Sequence, residues 1–366
     1  MKNSDCVALI LSGGQRERTG VPTKKTPKPA VFFGGIYRPI DFALSNCKHS
    51  GIGVTGIITH YCNRELADYI GSGREWLSAR EDAEITTLPQ KPGYDAVEFC
   101  WGTAAAIWNN YEFIEHYNPE NILVLPGYHI YKMDYSKMLK SHELSKAAAT
   151  IAVSNVPWEL TPNFGIVCAD PNGMVVSFED KPPKPKSNLA SMDIYMFNWE
   201  TLKNHLFIRS IEFATSMDIT KDIIPQMLMC GEQVAVYRFG DYWKDIGNIY
   251  GLWEANLELL SEPPGIDLHD DDWRIITRNS KTMLRHRNQV SSNGRIENSL
   301  VAEGVKNRGT IANSVVSAGV EIERGANVVD SVIMPGAKIG KKAIVIKTVI
   351  EADSVVGDNI SVYNRL

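Results

Sequence analysis

The sequence lacks the features that mark membrane, zinc-thiolate and nucleic-acid-binding proteins. Its first apolar run, Cys6 to Leu11, is too short for a signal peptide or a transmembrane helix. The six cysteines form no close pair, so neither a zinc knuckle nor a CxxC redox site is indicated, and reduced thiols fit best. A net charge of -5 provides no basic field for a polyanion. We therefore expect a cytoplasmic protein with no membrane or nucleic-acid partner.

Length and composition indicate an ordinary globular protein of more than one domain. A chain of 366 residues exceeds the usual size of a single hydrophobic core, so length predicts about two domains. Hydrophobic residues make up 44% of the sequence and charged residues 22%, which excludes a mainly disordered chain.

Short apolar strands alternate with longer mixed segments from residue 1 to about residue 258. This alternation predicts an α/β domain with a mainly parallel sheet and helices such as Ala104 to Tyr117 between the strands. Ligands of such sheets bind beyond the carboxyl ends of the strands, where Gly13-Gly14 and Gly127-Tyr128 fall. The predicted strands are Val7 to Leu11, Val54 to Thr59, Ile122 to Leu125, Ala148 to Val153 and Val234 to Arg238.

The composition changes after about residue 258. Ser261-Glu262-Pro263-Pro264-Gly265 and the acidic run His269 to Asp272 predict a linker over residues 259–290. From residue 291 to 366, four short units repeat, and their second residues are separated by 15, 17 and 17 positions: Ser299, Ser314, Ser331 and Thr348. A repeat of this period favours a parallel β-helix over the alternative, a β-sandwich of short strands. A solenoid of this kind is usually a stacking surface, so it points to an oligomer.

Two glycines, Gly13 and Gly14, follow Ser12 at the end of the first strand. Successive glycines let backbone N–H groups approach a phosphate closely, although such a pair is more often only a tight turn. The segment Lys28-Pro29-Ala30-Val31 favours the phosphate site, because its lysine could meet phosphate charge.

Several long motifs occur together along almost the whole chain. They are Leu9-Ile10-Leu11-Ser12-Gly13-Gly14, Lys28-Pro29-Ala30-Val31, Phe33 to Cys47 (FGGIYRPIDFALSNC), His129 to Tyr135 (HIYKMDY), Leu189-Ala190-Ser191-Met192 and Tyr242 to Gly247 (YWKDIG). Together they resemble bacterial glucose-1-phosphate adenylyltransferase, also called ADP-glucose pyrophosphorylase. The resemblance implies a Rossmann-like nucleotidyltransferase domain followed by a left-handed parallel β-helix. It also implies the reaction of ATP with glucose 1-phosphate, which gives ADP-glucose and pyrophosphate for glycogen synthesis.

The resemblance implies roles for individual residues. Two Mg²⁺-binding aspartates are expected in the family, and Asp245 retains one of them. The implied catalytic residues are Arg18, Lys181 and Asp245. The implied nucleotide-binding residues are Ser12, Gly13, Gly14, Arg18 and Gly102, and the implied sugar-phosphate-binding residues are Glu179, Lys181 and Ser191. Lys28 lies in a segment that aligns with a regulatory region, where allosteric effectors bind. Without the resemblance, Lys181 is typical of an exposed loop lysine and Asp245 of a helix N-cap.

Tyr128 is the clearest departure from the family pattern, because it occupies the position of the second magnesium-binding aspartate. A phenol with its usual pKa near ~10 stays neutral at cellular pH, whereas Mg²⁺ requires anionic oxygen at short distance. Mg²⁺ is therefore the cofactor that the resemblance implies, and Tyr128 counts against its binding. We expect the second ligand position to be lost.

The glycine-rich loop and the sugar half also depart from the family. The loop pattern ends in Gly, Thr or Ser, Arg and Leu, and Arg16 to Thr19 retain only Arg18. Glu17 adds like charge beside the phosphates. Asp193 replaces a glycine near the sugar, Cys100 replaces a tyrosine, and Met217 to Asp222 stand where the family has His-Asp-Phe-Gly-Lys-Asp. A single such change is often neutral, but several changes in one site indicate lost or altered chemistry.

Three hypotheses follow. The leading one is a catalytically impaired paralogue that serves as a regulatory or stabilising subunit and assembles with an active adenylyltransferase. The resemblance implies a homotetramer or a heterotetramer. The second is an active nucleotidyltransferase with a shifted substrate, in which Glu17 or Asp193 supplies the missing metal ligand. The third is a sensor that holds a nucleotide or a sugar phosphate without turnover.

Overall fold

The structure is a computed structural model that describes residues 5–12, 27–59, 64–89, 102–211, 216–278, 284–286 and 294–366. Residue contacts group the chain into two compact units. The first is drawn from Met1–Gly13, Asn46–Gly127 and Met133–Asp241, and the second from Gly14–Ser45, Tyr128–Lys132 and Tyr242–Leu366. The domains predicted over 1–258, 259–290 and 291–366 are not tested by this grouping and stay a prediction.

The part of the chain before the repeat alternates strands with helices. Its strands are β1 (Cys6–Leu11), β2 (Val54–Thr59), β3 (Glu84–Pro89), β4 (Asn121–Pro126), β5 (His129–Tyr131), β6 (Ala149–Asn155), β7 (Gly165–Ala169), β8 (Val175–Asp180), β9 (Leu189–Asn198), β10 (Val234–Arg238) and β11 (Trp243–Asp245). Its helices are α1 (Pro39–His49), α2 (Arg64–Ile70), α3 (Thr103–Trp108), α4 (Tyr111–Tyr117), α5 (Tyr135–Ser145), α6 (Trp199–Ile211), α7 (Ile224–Met229) and α8 (Ile249–Glu258).

The first unit is built on a mainly parallel sheet with the strand order β10-β6-β9-β4-β1-β2-β3. Strands β1, β2 and β4 are buried over almost their whole length, as is typical of parallel sheets in which both faces are covered. Strand β9 pairs antiparallel with β4 and β6, and the hairpin of β7 and β8 extends from it. The predicted α/β fold with a mainly parallel sheet is confirmed.

One predicted helix is two helices. The helix predicted over Ala104 to Tyr117 ends as α3 at Trp108 and begins again as α4 at Tyr111. The side chain of Asn110 donates to the backbone oxygen of Ala106 (2.8 Å), and an asparagine that bonds to a nearby carbonyl in this way competes with regular helix hydrogen bonds.

The carboxyl-terminal part of the second unit is a solenoid of short strands. Three stacks of parallel strands run through it, in the orders β14-β17-β20-β23, β13-β16-β19-β22-β25 and β15-β18-β21-β24, and β12 pairs antiparallel with β14. The strands are β12 (Leu284–His286), β13 (Arg295–Glu297), β14 (Leu300–Ala302), β15 (Lys306–Asn307), β16 (Thr310–Ala312), β17 (Val315–Val316), β18 (Glu321–Ile322), β19 (Asn327–Val329), β20 (Val332–Ile333), β21 (Lys338–Ile339), β22 (Ile344–Ile346), β23 (Val349–Ile350), β24 (Val355–Val356) and β25 (Ser361–Tyr363).

The repeated hydroxyl residues form a buried ladder along one corner of the solenoid. The backbone N–H of Ser314 donates to Ser299 Oγ (3.0 Å), that of Ser331 to Ser314 Oγ (3.0 Å), and that of Thr348 to Ser331 Oγ (3.3 Å). Each hydroxyl therefore satisfies the buried backbone of the next coil. These parallel stacks confirm the predicted hexapeptide-repeat β-helix and are consistent with its left-handed form.

The second unit also contains a core that joins sequence-distant segments. One buried cluster contains Phe33, Phe42, Leu252 of α8 and Val332 of β20. It also contains three residues of the predicted linker, Ile266, Leu268 and Ile275. Asp270 of the acidic run is held in place as well, because it accepts a hydrogen bond from Lys132 Nζ (2.8 Å). This bond lowers the pKa of the Asp270 carboxyl group.

No helix in the described ranges is long and apolar enough to cross a membrane.

Candidate active site

Ser12, which the resemblance implies to be a nucleotide-binding residue, lies at the carboxyl edge of the sheet. Strands β1 and β4 are parallel neighbours, and the N–H of Gly127 donates to the oxygen of Leu11 (3.1 Å), so both strands end at the same edge. Ser12 is buried, and its hydroxyl donates to the oxygen of Ile58 (2.6 Å). Its side chain therefore stabilises the strand end. Gly13, Gly14 and Arg18 lie outside the described residues, as do Arg16, Glu17 and Cys100.

Glycine is required at position 102 because the backbone of Met217 lies very close to it at the start of α3. Its φ is +124°, and a Cβ built on it would lie 2.2 Å from the oxygen of Met217. That oxygen accepts hydrogen bonds from the backbone N–H groups of Ala104 and Ala105, both at 3.1 Å. Gly102 thus lets the first turn of α3 dock against residue 217, which is a structural reason for glycine in this predicted nucleotide-binding position.

Asp218 was not predicted as a site residue, but it organises this region. Thr103 Oγ1 donates to Asp218 Oδ1 (2.7 Å) and accepts from the N–H of Ile219 (2.9 Å). Asp222 Oδ2 accepts from the N–H of Asp218 (2.7 Å), and Asp222 Oδ1 accepts from Arg209 Nη2 (2.8 Å). In the sequence, the one sign of this network was a threonine directly after Gly102 at the start of a predicted helix.

Ser191 and Asp193 lie on β9 and share a partner. Tyr195 Oη donates to Asp193 Oδ1 (3.0 Å) and lies 3.1 Å from Ser191 Oγ, which accepts from the N–H of Asp193 (3.1 Å). Asp193 has a φ of +55°, at an irregularity in the pairing of β9 with β6. Glycine suits that left-handed conformation, and aspartate tolerates it better than most residues. The sequence did not reveal the part played by Tyr195.

Glu179 and Lys181 lie at the end of β8. Glu179 and Ala190 both pair with Ile166 of β7, so strand alternation puts the side chain of Glu179 on the opposite sheet face from that of Ser191. Glu179 Oε1 lies 3.4 Å from Lys186 Nζ. Lys181 is exposed and has a φ of +48°, as the loop interpretation predicted. Glu179 and Lys181 therefore lie together at one strand end. The side chain of Glu179 lies on the opposite sheet face from that of Ser191, the third predicted sugar-phosphate-binding residue.

Tyr128 and Asp245 are brought together in the second unit. Strands β5 and β11 pair antiparallel, with His129 opposite Asp245, so Tyr128 stands one residue beyond that pair. Asp245 Oδ1 accepts from the N–H of Gly247 (2.6 Å). Asn248, not Asp245, caps α8, because its side chain accepts from the N–H of Gly251 (2.8 Å). The carboxylate of Asp245 thus belongs to the turn before the helix and remains 30% exposed.

His129 supports Asp245 from the buried side. Its Nδ1 lies 3.1 Å from Trp243 Nε1, and an indole N–H can only donate, so Nδ1 accepts and the proton of a neutral ring belongs on Nε2. That Nε2 lies 3.7 Å from Asp245 Oδ1. Lys244, which precedes Asp245 in β11, bonds through Nζ to Glu254 Oε2 and Glu258 Oε1, both at 2.7 Å, and these bonds tie β11 to α8. The position of Asp245 is therefore firmly set.

Lys28 completes this group, which we call the Asp245 cluster: Lys28, Tyr128, His129, Asp245 and Gly247. Lys28 begins a 3₁₀ turn over Lys28–Ala30, and its Nζ lies 5.2 Å from the centre of the Tyr128 ring. A Cβ built on Gly247 would lie 2.9 Å from Asp245 Oδ1, 3.5 Å from Lys28 Nζ and 3.5 Å from Tyr128 Cε2. The ammonium, the phenol ring and the carboxylate therefore surround one small space.

Comparison with known proteins identifies the family. The nucleotidyl transferase family model matches residues 7–262, and the model for the GlmU-like C-terminal hexapeptide matches residues 281–364. A glucose-1-phosphate adenylyltransferase of Clostridium botulinum (strain Alaska E43 / Type E3) is 46% identical over 330 residues, which cover 90% of this chain and 85% of that protein. The one of Acetivibrio thermocellus is 41% identical over 363 residues, which cover 99% of this chain and 80% of that protein. The chain belongs to the glucose-1-phosphate adenylyltransferase family.

Nucleotidyltransferases of this family commonly use Mg²⁺, so the Asp245 cluster can be tested for its fit to that ion. Mg²⁺ takes oxygen ligands, usually one or two carboxylates with water and substrate phosphates. The cluster offers one carboxylate, Asp245, and the described ranges contain no group of three or more His, Cys, Asp or Glu side chains that could hold a metal. The Lys28 ammonium would repel a divalent cation in the same small space. The cluster therefore does not fit a two-carboxylate magnesium site.

Proposed function

We propose that this chain is a catalytically impaired glucose-1-phosphate adenylyltransferase-family protein that acts as a regulatory subunit of an active paralogue. The observation that carries the proposal is the Asp245 cluster, where a neutral phenol and a lysine ammonium stand beside a single carboxylate. The family reaction, between ATP and glucose 1-phosphate, builds negative charge on the attacking, bridging and leaving oxygens. Metal ions normally neutralise that charge.

The expected cost of this change is large. Loss of one metal carboxylate in such a reaction removes on the order of 10²-fold of rate, the scale of one electrostatic stabiliser. We infer from this estimate that the chain alone turns over weakly or not at all. Arg18, Lys181 and Asp245 would then be remnants of a catalytic set, with Ser12, Gly13, Gly14 and Gly102 on the nucleotide side and Glu179, Lys181 and Ser191 on the sugar-phosphate side.

The intact β-helix supports a role in assembly. Its ladder of buried hydroxyl residues, from Ser299 to Thr348, links successive coils by hydrogen bonds at this corner. Repeat arrays of this kind present extended surfaces to partners. We propose a tetramer with the active paralogue, acting in glycogen synthesis in the cytoplasm, with allosteric control in which Lys28 takes part. The four described cysteines carry free thiols, which fits that compartment.

The proposal is tested by combining the chain with its partner. The chain is co-expressed with an active glucose-1-phosphate adenylyltransferase of the same organism, with an affinity tag on this chain alone, and the purified complex is assayed for pyrophosphate release. We expect the partner to co-purify and its KM for ATP or glucose 1-phosphate, or its response to effectors, to change. A partner that does not co-purify, or whose kinetics are unchanged in the complex, would refute the regulatory role.

A control separates the chain's own chemistry from the partner's. The same complex is prepared with Asp245→Asn in this chain, which removes the remaining carboxylate without changing its size. If this chain contributes no catalysis, turnover of the complex stays the same. A proportional loss of turnover would show that this chain is an active subunit, which is the competing hypothesis.

A further inference from the structure

A cavity of about 680 Å³ lies at the amino edge of the sheet in the first unit. It opens between the starts of β4, β6 and β10 and the end of the antiparallel strand β9. Strand β4 runs for six residues from this edge toward the edge that carries Ser12, so the two edges are about 20 Å apart. We call this space the amino-edge cavity, and it is separate from the candidate active site.

The lining of the cavity includes a buried side-chain amide, that of Asn121. This residue is only 5% exposed. Its backbone N–H donates to the oxygen of Asp5 (3.1 Å), but its side-chain amide forms no hydrogen bond with the residues that the structure describes. Buried polar side chains in native proteins nearly always have a partner. The Asn121 amide therefore indicates a polar ligand in the cavity.

The main chain at this edge is already hydrogen-bonded. The N–H of Ala148 donates to the oxygen of Gln233 (2.8 Å), and the N–H of Asn198 donates to the oxygen of Ala148 (3.0 Å). The N–H of Trp199 donates to the oxygen of Glu120 (2.9 Å). Side chains, and not open strand ends, are therefore the groups that a ligand would meet.

The charged side chains of the lining favour a cation. The carboxylates of Glu120, Glu143 and Glu232 face a single ammonium, that of Lys146. Within the described part of the chain, no group of three or more His, Cys, Asp or Glu side chains is close enough to hold a metal ion. A cation whose charges are spread along a chain suits such separated carboxylates better than one compact ion, because attraction falls with distance.

We propose that the amino-edge cavity binds a linear aliphatic polyamine. A protonated amine donates to the amide oxygen of Asn121, which is an acceptor, and the remaining amines lie beside the carboxylates. The methylene chain between the amines packs against Ala147 and Ala148 of the lining. This site goes beyond the proposed function and does not depend on it.

Isothermal titration of the purified full chain with spermidine tests the proposal. Putrescine and butanediol are titrated beside it, because the diol keeps the length of putrescine and replaces both ammonium groups by neutral hydroxyls. We expect saturable binding of spermidine at one site, weaker binding of putrescine, and a diol that binds at least about 10-fold more weakly than putrescine. Raising NaCl from about 50 mM to about 300 mM should weaken spermidine binding about 3-fold or more.

Two variants locate the site. Asn121→Ala should weaken spermidine binding about 10-fold, the scale of a hydrogen bond to a charged group. The double variant Glu143→Gln, Glu232→Gln should weaken it by a similar factor, from about 3-fold for each exposed ion pair. Glu159→Gln is the matched control, because this exposed carboxylate follows the far end of β6 and should leave binding within about 1.5-fold. Circular dichroism checks that each variant is folded.

Three results would overturn the proposal. They are no saturable binding of spermidine, equal binding of putrescine and its diol, and a control variant that loses as much affinity as the double variant. Unchanged binding in a folded Asn121→Ala variant would overturn it as well, and if that variant does not fold, the double variant decides. The proposed function is tested by co-purification and pyrophosphate release, which this titration does not measure, so the two proposals can fail separately.

Discussion

The residues of β9 that we predict to lie near the sugar and the Asp245 cluster each contain a substitution relative to the family pattern, and the two substitutions have different consequences. At Asp193 the backbone adopts a φ of +55°, and the substituted aspartate tolerates it and accepts a hydrogen bond from Tyr195. At Tyr128 the strand pairing of β5 with β11 is retained, while the side chain no longer offers an anionic oxygen. At both positions the backbone accommodates the substituted residue, and only at Tyr128 does the substitution remove a side chain that we expect to bind metal.

The largest expected effect comes from Gly102, where any side chain would meet the backbone of Met217. Gly102→Ala would place a Cβ 2.2 Å from the Met217 oxygen, at a φ of +124°. We expect a loss of about 3 kcal/mol or more in the free energy of unfolding, from strain and displacement of α3. Chemical denaturation followed by circular dichroism measures it.

Gly231→Ala is the matched control for this prediction. Gly231 also has a positive φ (+78°), but a Cβ there would meet nothing within 4 Å. Its expected cost is about 1 kcal/mol, from the backbone conformation alone. Equal losses in the two variants would show that the approach to Met217 does not limit residue 102.

The free energy of unfolding should depend on pH through His142, which lies in the first unit. It is buried, with Nδ1 2.8 Å from Thr150 Oγ1, and burial lowers its pKa to about 4. The unfolded chain binds this proton near pH ~6.5 and the folded chain does not, so stability falls as pH falls from ~6.5 toward 4. We expect a loss of about 2 kcal/mol at pH 5 and of about 3 kcal/mol at pH 4.

His142→Gln tests this assignment, because glutamine removes the titration and can keep a hydrogen bond to Thr150. The free energy of unfolding of both proteins is compared at pH 7 and pH 5. The difference between the two pH values should be smaller in the variant. The same pH dependence in both proteins would mean that other groups are responsible.

The smallest expected effect is at Asp193. Asp193→Gly loses the hydrogen bond with Tyr195 but relieves the left-handed backbone, so the net change should lie within about 1 kcal/mol. Asp193→Ala loses the bond and keeps the strain, so it should be about 1 kcal/mol less stable than the glycine variant. Thermal unfolding of the two variants gives their order, and an alanine variant as stable as the glycine variant would argue against backbone strain at this residue.

Much of the fold could be predicted because it follows from local patterns. The alternation of short strands such as β1, β2 and β4 with longer mixed segments indicates a parallel sheet, and the recurring Ser299, Ser314, Ser331 and Thr348 indicate the coils of the β-helix. The motif around residue 128 also indicates, by resemblance, that a ligand position is altered. These signals lie within short stretches of sequence.

The contacts of the site could not be predicted because they join distant residues. Lys28 meets Tyr128 and Gly247 only through the folded second unit, and Thr103 meets Asp218 across 115 positions. The residue type at position 193 does not predict the left-handed backbone there, because aspartate only tolerates that conformation and does not require it. The break at Asn110 coincides with one side-chain hydrogen bond within an otherwise helical pattern.

The most direct test of the account is pyrophosphate release by the purified chain with Mg²⁺, ATP and glucose 1-phosphate, beside Tyr128→Asp and the control Tyr128→Phe. The account predicts no measurable turnover by the unmodified chain or the phenylalanine variant, and a gain of about 10-fold or more over background with the aspartate. Robust turnover by the unmodified chain, or an aspartate variant that is folded and equally inactive, would contradict the claim that chemistry was lost at residue 128.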